Sequence, residues 1–241
     1  MVKNNFPIII LVNPQLPENI GLCARAMMNC GFSNLRIINP RESWPNKKTI
    51  RSSTHGQSII KNAKIFKDFK SATMDLNFLI ATSVRKRFAN KNHFLNFKGL
   101  FKKFNYFSKT GIVFGPERSG LTNNEISKCD CIFSLPIHNE YSSLNLSHSV
   151  LIMCYEFNKF IHSAKYKKNN FKSKVATKKE FYLLMEHLRN NLEDSGFLYP
   201  KEKADNMFLN IQNMFIRANF SPQEIRTFRG ILRRLRSPKK I

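Results

Sequence analysis

Three short polar patterns stand in order in the first two-thirds of the chain, and each carries side chains suited to a binding site. Asn19-Ile20-Gly21 leads to Arg25 and Gly31. Phe114-Gly115-Pro116-Glu117-Arg118-Ser119-Gly120-Leu121 comes second, and Tyr141-Ser142-Ser143-Leu144-Asn145-Leu146 third. Serine and asparagine at a helix start can hold polar ligand atoms, and arginine stabilises negative charge. A glycine directly after a buried strand, such as Gly115, lets the backbone turn sharply and approach a ligand without side-chain obstruction. Residues 141 to 145 precede a helical apolar period, so their hydroxyls either cap that helix or leave its first N–H groups for a ligand. No GxxxxGK[ST], GxGxxG or HExxH pattern occurs, which argues against ATP-loop, dinucleotide and zinc-peptidase chemistry.

Each pattern follows a β-rich apolar run and most open a helix, so their polar groups should converge at one edge of a sheet, where open α/β sheets bind ligands. Pro7 to Val12 reads as a buried strand, Glu18 to Cys30 as a helix ended by Gly31, and Leu35 to Asn39 as a second strand. Pro40 to Gln57 is polar and reads as a loop over the site, followed by a helical segment. Further strands are expected at Phe78 to Ala81, Ile112 to Phe114 and Cys131 to Leu135. Thr122 and Glu125 form a capping box for a helix over Asn123 to Lys128, and Leu144 to Ile161 has a helical apolar period. Alternating β and α implies a mostly parallel sheet.

From residue 178 the pattern is helical throughout. Thr177 and Glu180 form a capping box for a helix with Phe181, Leu184, Met185, Leu188 and Leu192 on one face. A second helix carries Phe208, Ile211 and Phe215. A third opens at Ser221-Pro222-Gln223-Glu224 and should bury Ile225, Phe228, Ile231, Leu232 and Leu235. The expected organisation is an α/β domain at 1–163, a basic linker at 164–177 and a helical extension at 178–241.

The chain has 40 Lys and Arg against 16 Asp and Glu, a net charge of +24, which calls for a polyanionic partner. The extension is densely basic, with 18 Lys and Arg against 7 acids from 164 on. Five cysteines form no CxxC pair, and the six histidines lack ligand spacing, so no metal site is expected. Cys129 and Cys131 read as two side chains on one face of a strand. The apolar run near the N-terminus is too brief for a signal sequence or a membrane span, which places the expected protein in the cytoplasm, with no membrane partner.

Taken together and in this order, the three patterns resemble those of the SpoU/TrmH family of RNA ribose 2′-O-methyltransferases. The likeness extends to its tRNA-modifying TrmJ branch, through Gly196-Phe197-Leu198 and Arg229-Gly230-Ile231-Leu232 in the extension. The resemblance implies the SPOUT α/β fold, with a deep trefoil knot, and a homodimer that methylates tRNA from S-adenosyl-L-methionine at position 32 of the anticodon loop. It implies that Thr82, Ser83, Val84, Gly115, Leu135, Ser142, Ser143 and Leu144 hold the cofactor. Asn19, Arg25, Glu117, Ser142 and Asn145 should line the catalytic side. Arg85 and Arg87 match a basic pair that the branch carries there, and Arg233, Arg234 and Arg236 are the RNA candidates of the last helix.

Arg25 is the family's candidate for assisting the ribose hydroxyl. A guanidinium with a pKa above about 12 is a poor proton acceptor, so stabilising alkoxide charge or holding the adjacent phosphate remain open roles. The rival readings are an rRNA methyltransferase of the same fold, a non-catalytic RNA-binding protein, and a DNA-binding protein using the last helix. The second is disfavoured by the buried polar set, which a pure binder does not need.

Overall fold

Strands of a parallel sheet are covered on both faces and so read as continuous apolar runs. Three such runs form the centre of a seven-stranded sheet in the computed structural model, which describes residues 6–83, 91–104, 109–137, 144–163 and 175–236. In chain order the strands are β1 (Ile8–Val12), β2 (Leu35–Ile38), β3 (Lys64–Phe66), β4 (Phe78–Thr82), β5 (Asn92–Phe94), β6 (Thr110–Phe114) and β7 (Cys131–Phe133). Their order across the sheet is β3-β2-β1-β6-β4-β7-β5, and every pairing is parallel. All the strand C-termini therefore lie along one edge.

One face of the sheet is covered by α1 (Pro17–Asn29), α3 (Gln57–Asn62), α5 (Phe97–Phe104) and α7 (Leu146–His162), which bury Met27, Ile60, Leu100 and Phe157 in one apolar core with Ile9, Phe78 and Phe133. The opposite face carries α4 (Phe69–Thr73) and α6 (Asn123–Ser127), which bury Phe69, Ala72 and Ile126 against Ile10, Leu79 and Val113. Cys131 belongs to the first core and Cys129 to the second, so the expectation that they share a face is wrong. The strand begins only at Cys131, and period-two reasoning does not reach back to residue 129.

Residues 40 to 57 are not a loop throughout. Asn46 caps α2 (Lys47–Ser53) by accepting from Lys48 N at 2.9 Å, and a 3-10 turn (Thr54–Gly56) follows. α2 lies so close to α1 that a Cβ on Gly21 would overlap Ser52 Oγ and the Thr49 carbonyl. The segment has too little apolar content to announce a helix, and a glycine on the neighbouring helix makes the contact instead.

The extension is formed by α8 (Lys178–Asp194), α9 (Lys201–Arg217) and α10 (Pro222–Arg236), with its own core around Phe181, Leu184, Leu188, Phe208, Ile216 and Ile225. The capping boxes at Thr177 and Glu180 and at Thr122 and Glu125 are both present. On α10 the expected buried face is narrower than the apolar pattern suggests: Ile225 and Leu232 are buried, whereas Ile231 and Leu235 are 48% and 73% exposed.

The extension packs on the α4/α6 side of the sheet. Lys178 donates to Asp130 Oδ1 at 2.8 Å, with both side chains buried, and Asp130 Oδ2 accepts from Leu79 N at 2.6 Å. The backbone amides of Lys178 and Lys179 donate to the carbonyls of Leu76 and Met74 at 2.7 and 2.9 Å. Tyr182 and Thr73 share a hydroxyl hydrogen bond at 2.8 Å, and Gln212 donates to Ser127 Oγ at 3.2 Å. Beneath these, the Lys91 ammonium donates to the carbonyls of Ile126, Ser127 and Cys129 at the end of α6. Among the described residues no helix is long and apolar enough to cross a membrane.

Candidate active site

The C-terminal ends of β4, β6 and β7 open onto a cavity of about 320 Å³, within the range of small-molecule sites. Thr82 and Ser83 come from the end of β4, and Phe114 to Leu121 from the turn after β6. Phe133, Leu135 and Ile137 come from β7 and the chain after it, and Leu144, Leu146 and Ser149 from the start of α7. The walls are divided about evenly between apolar and polar groups, which suits a flat apolar ring system carrying a polar tail.

The turn that forms one wall depends on two glycines. A Cβ on Gly115 would overlap the backbone of Gly120 and Leu121, and Gly120 itself has φ +63°. Gly115 is therefore required by the closure of its own loop. Gly115 also lines the cavity, so its bare backbone is open to a ligand there. Leu121 is buried at the end of the loop and ties it to the core.

A hydrogen-bonded chain joins the three sequence patterns and meets the cavity wall at Glu117. Glu117 Oε1 accepts from Asn19 Nδ2 at 2.8 Å, and its Oε2 accepts from the backbone of Gln15 at 3.0 Å, just ahead of α1. Asn19 Oδ1 accepts from Asn145 Nδ2 at 3.5 Å. Asn145 Oδ1 in turn accepts from the backbone and hydroxyl of Ser147, both at 2.8 Å, which caps α7. A carboxylate only accepts, so Glu117 fixes the orientation of the Asn19 amide, and Asn19 fixes that of Asn145. Each amide keeps a second N–H, and Asn145 is exposed.

Arg25 stands apart from this chain. Asn19 is buried and Arg25 is exposed, and neither of them, nor Asn145, lines the cavity. Six residues on an α-helix turn the side chain by about 240°, so the two point to different sides of α1. The resemblance sets both on one catalytic side, yet within one subunit they do not face the same way, and Leu22 and Met28, which flank Arg25, are themselves exposed. Cys23, on the buried side, has its thiol pushed up by burial and by the nearby Glu117 charge. Such a thiol is no nucleophile at neutral pH.

Of the other expected site residues, Thr82, Ser83, Gly115, Leu135 and Leu144 all line the cavity. Val84, Arg85, Arg87, Ser142 and Ser143 lie outside the described residues. Arg233 and Arg234 are exposed on α10, distant in sequence from the cavity, and the side chain of Arg236 is outside the description. Residues that reasoning on sequence missed are Phe133, Ile137 and Ser149, which carry no motif and reach the cavity by fold alone. Among the described residues no group of three or more His, Cys, Asp or Glu could hold a metal ion.

Comparison with known proteins agrees with this geometry. The sequence model described as the SpoU rRNA Methylase family matches residues 7–155, and that of the tRNA methyltransferase TrmJ C-terminal domain matches residues 179–240. The chain is 33% identical over 230 residues to the tRNA (cytidine-2'-O-)-methyltransferase TrmJ of Methanocaldococcus jannaschii, covering 90% of this chain and 94% of that protein. It is 29% identical to the tRNA (cytidine/uridine/adenosine-2'-O-)-methyltransferase TrmJ of Pseudomonas aeruginosa, over 93% of this chain and 91% of the relative. The crystal structure of TrmJ from Z. mobilis ZM4 superposes with a TM-score of 0.88 at 31% identity, covering 96% of this chain and 100% of that one. With its sheet domain and its helical extension both matched, the chain belongs to the SpoU methylase family, in the TrmJ-like group.

Proposed function

We propose that the protein transfers a methyl group from S-adenosyl-L-methionine to a ribose 2′-hydroxyl of tRNA, at position 32 in the anticodon loop. The observation that carries this reading is the Glu117, Asn19 and Asn145 chain, which ties three distant motifs together behind Glu117, a residue of the cavity wall. The apolar groups of the walls and the polar groups of Thr82, Ser83 and Glu117 fit the cofactor's adenine ring and charged tail. When bound, the cofactor supplies an electrophilic methyl on a sulfonium.

The remaining work falls to this chain's side chains. A ribose hydroxyl is a weak nucleophile, and most of the gain comes from holding it in line and assisting loss of its proton. The free N–H of Asn145 is placed to orient the incoming nucleotide, and Glu117 keeps that amide presented. Arg25 supplies positive charge to the developing alkoxide or the neighbouring phosphate. Arg85 and Arg87, with Arg233, Arg234 and Arg236, hold the phosphate backbone outside the cavity, and residues 178–241 serve as the tRNA-binding extension.

Arg25 gives the reason for a homodimer. It sits on an exposed face of α1 beside Leu22 and Met28, and the adjacent α7 exposes Leu151, Ile152 and Tyr155. A second copy covering that apolar face would bring Arg25 to a site shared between subunits. The knotted chain path and a cytoplasmic location follow from the family reading. The function is tested by nucleoside mass spectrometry on ribonuclease fragments of tRNA incubated with the protein and deuterated cofactor. One labelled 2′-O-methyl nucleoside in the anticodon-loop fragment is expected. Label on a base, or in another fragment only, would overturn the assignment.

A further inference from the structure

Lysines recur every third residue at 61, 64, 67 and 70, a run that the motifs of the active site leave unexplained. In the fold they pass from the end of α3, along β3 and into α4, and all four are exposed. β3 is the edge strand of the sheet, paired only to β2. Acidic compensation is nearly absent. Asp68, the one acid in the run, caps α4 by accepting from the amide of Ser71 at 2.8 Å and its hydroxyl at 3.0 Å. Those bonds hold its carboxyl below the usual range. Lys70 meets Glu186 of α8 at 3.6 Å, an exposed pair, and among the described residues Lys61, Lys64 and Lys67 form no ion pair.

Because the sheet is wholly parallel, the C-terminal end of β3, and with it Lys67, shares an edge with the cavity, while Lys64 begins the strand and Lys61 precedes it. Three strand spacings separate β3 from β6, which puts Lys67 about 14 Å to the side of the cavity's nearest strand. That offset is smaller than the width of an A-form stem. The run also reaches the extension, since Lys179 N donates to the Met74 carbonyl just beyond α4.

We propose that this lysine-bordered edge is a second RNA contact surface, which grips the phosphate backbone of a tRNA stem while the target loop occupies the cavity. The proposal rests on the tRNA reading above. Charge selects the partner: exposed ammonium groups, three of them outside any ion pair among the described residues, suit a regular polyanion and carry no base readout. The ordinary alternative is that edge lysines only block strand-to-strand association.

The test compares wild type with a K61Q/K64Q/K67Q variant and with a K98Q/K102Q/K109Q variant, which removes the same charge from other exposed positions. Affinity for full-length tRNA and for an isolated anticodon stem–loop is measured by fluorescence anisotropy over a potassium chloride series, with melting curves as a folding check. For full-length tRNA the first variant should lower the salt slope by up to about 0.9 per lost contact, and the second should not. The isolated stem–loop should lose slope as well, since the stem it carries adjoins the target loop. An equal drop in both variants, or none in the first, overturns the proposal, as does self-association of the first variant with an unchanged slope. Methyl transfer by wild type is scored separately. If wild type does not methylate tRNA while the first variant alone loses slope, the surface stands and the reaction assignment fails.

Discussion

The Asn19 amide donates to Glu117 Oε1 at 2.8 Å across 98 positions of sequence, and that bond fixes which end of the amide faces Asn145. Glu117→Gln removes the charge and lets the amide of either partner flip. Losing a hydrogen bond to a charged group costs about 1.5 to 3 kcal/mol, so turnover should fall about 10- to 100-fold. Single-turnover kinetics with Asn19→Ala, Glu117→Gln and the double variant would check this, because a coupled pair gives a double variant little worse than either single one.

Arg25 is exposed and off the cavity wall, so Arg25→Ala should nearly abolish methyl transfer while leaving cofactor affinity within a small factor. Calorimetric titration of the variant with the cofactor separates the two. Lost affinity with residual turnover intact would show that Arg25 serves the cofactor and not the nucleophile.

Gly115→Ala should weaken cofactor binding by deforming the loop from Pro116 to Leu121, since its Cβ would meet the Gly120 and Leu121 backbone. Overpacking of this kind costs about 1 to 3 kcal/mol. The expected signature is a lower melting temperature together with reduced affinity, whereas a variant with unchanged affinity would remove this turn from the cofactor site.

Asp130→Asn leaves the buried Lys178 ammonium without its counter-charge at the junction of the sheet domain and extension. Breaking one partner of a buried pair costs about 3 to 5 kcal/mol. Urea unfolding should show this loss, and hydrogen exchange should show faster exchange at the amides of Lys178 and Lys179, which hold α8 to Leu76 and Met74.

Burial pushes the Lys91 ammonium down to about 8 from its ordinary 10.5, with Lys178 adding to the effect and Asp130 opposing it. Between those values the unfolded chain holds a proton that the folded one has released, so stability should rise with pH across that window. The slope from this one group is at most about 1.4 kcal/mol per pH unit. In Lys91→Met, pH-dependent unfolding should lack that part of the rise.

Much of the fold was legible because the central strands are apolar on both faces and the helices announce their starts. Thr122 with Glu125 and Thr177 with Glu180 are capping boxes in sequence and in structure. β3 and β5 were not legible: each has three residues, and Lys64 and Ile65 at the outer edge are exposed, so no apolar run marks them. α2 was missed for a related reason, since it packs through Gly21 of its neighbour more than through its own side chains. Asn19, Glu117 and Asn145 were legible as types at fixed spacing. Their pairing was not, because a hydrogen bond across 98 residues is set by strand order alone. The direction of Arg25 was not legible either, because six residues of helix turn it away from Asn19.

The central claim is that the Glu117, Asn19 and Asn145 chain positions a ribose hydroxyl at a cofactor cavity. The most direct measurement is single-turnover transfer of labelled methyl from S-adenosyl-L-methionine to tRNA by wild type and Asn145→Ala, followed by alkaline hydrolysis. The account predicts one alkali-resistant dinucleotide carrying the label with wild type, and with Asn145→Ala a loss of rate beyond any loss of cofactor affinity. Label released entirely as mononucleotides, or an Asn145→Ala rate equal to wild type in a folded protein, would contradict it.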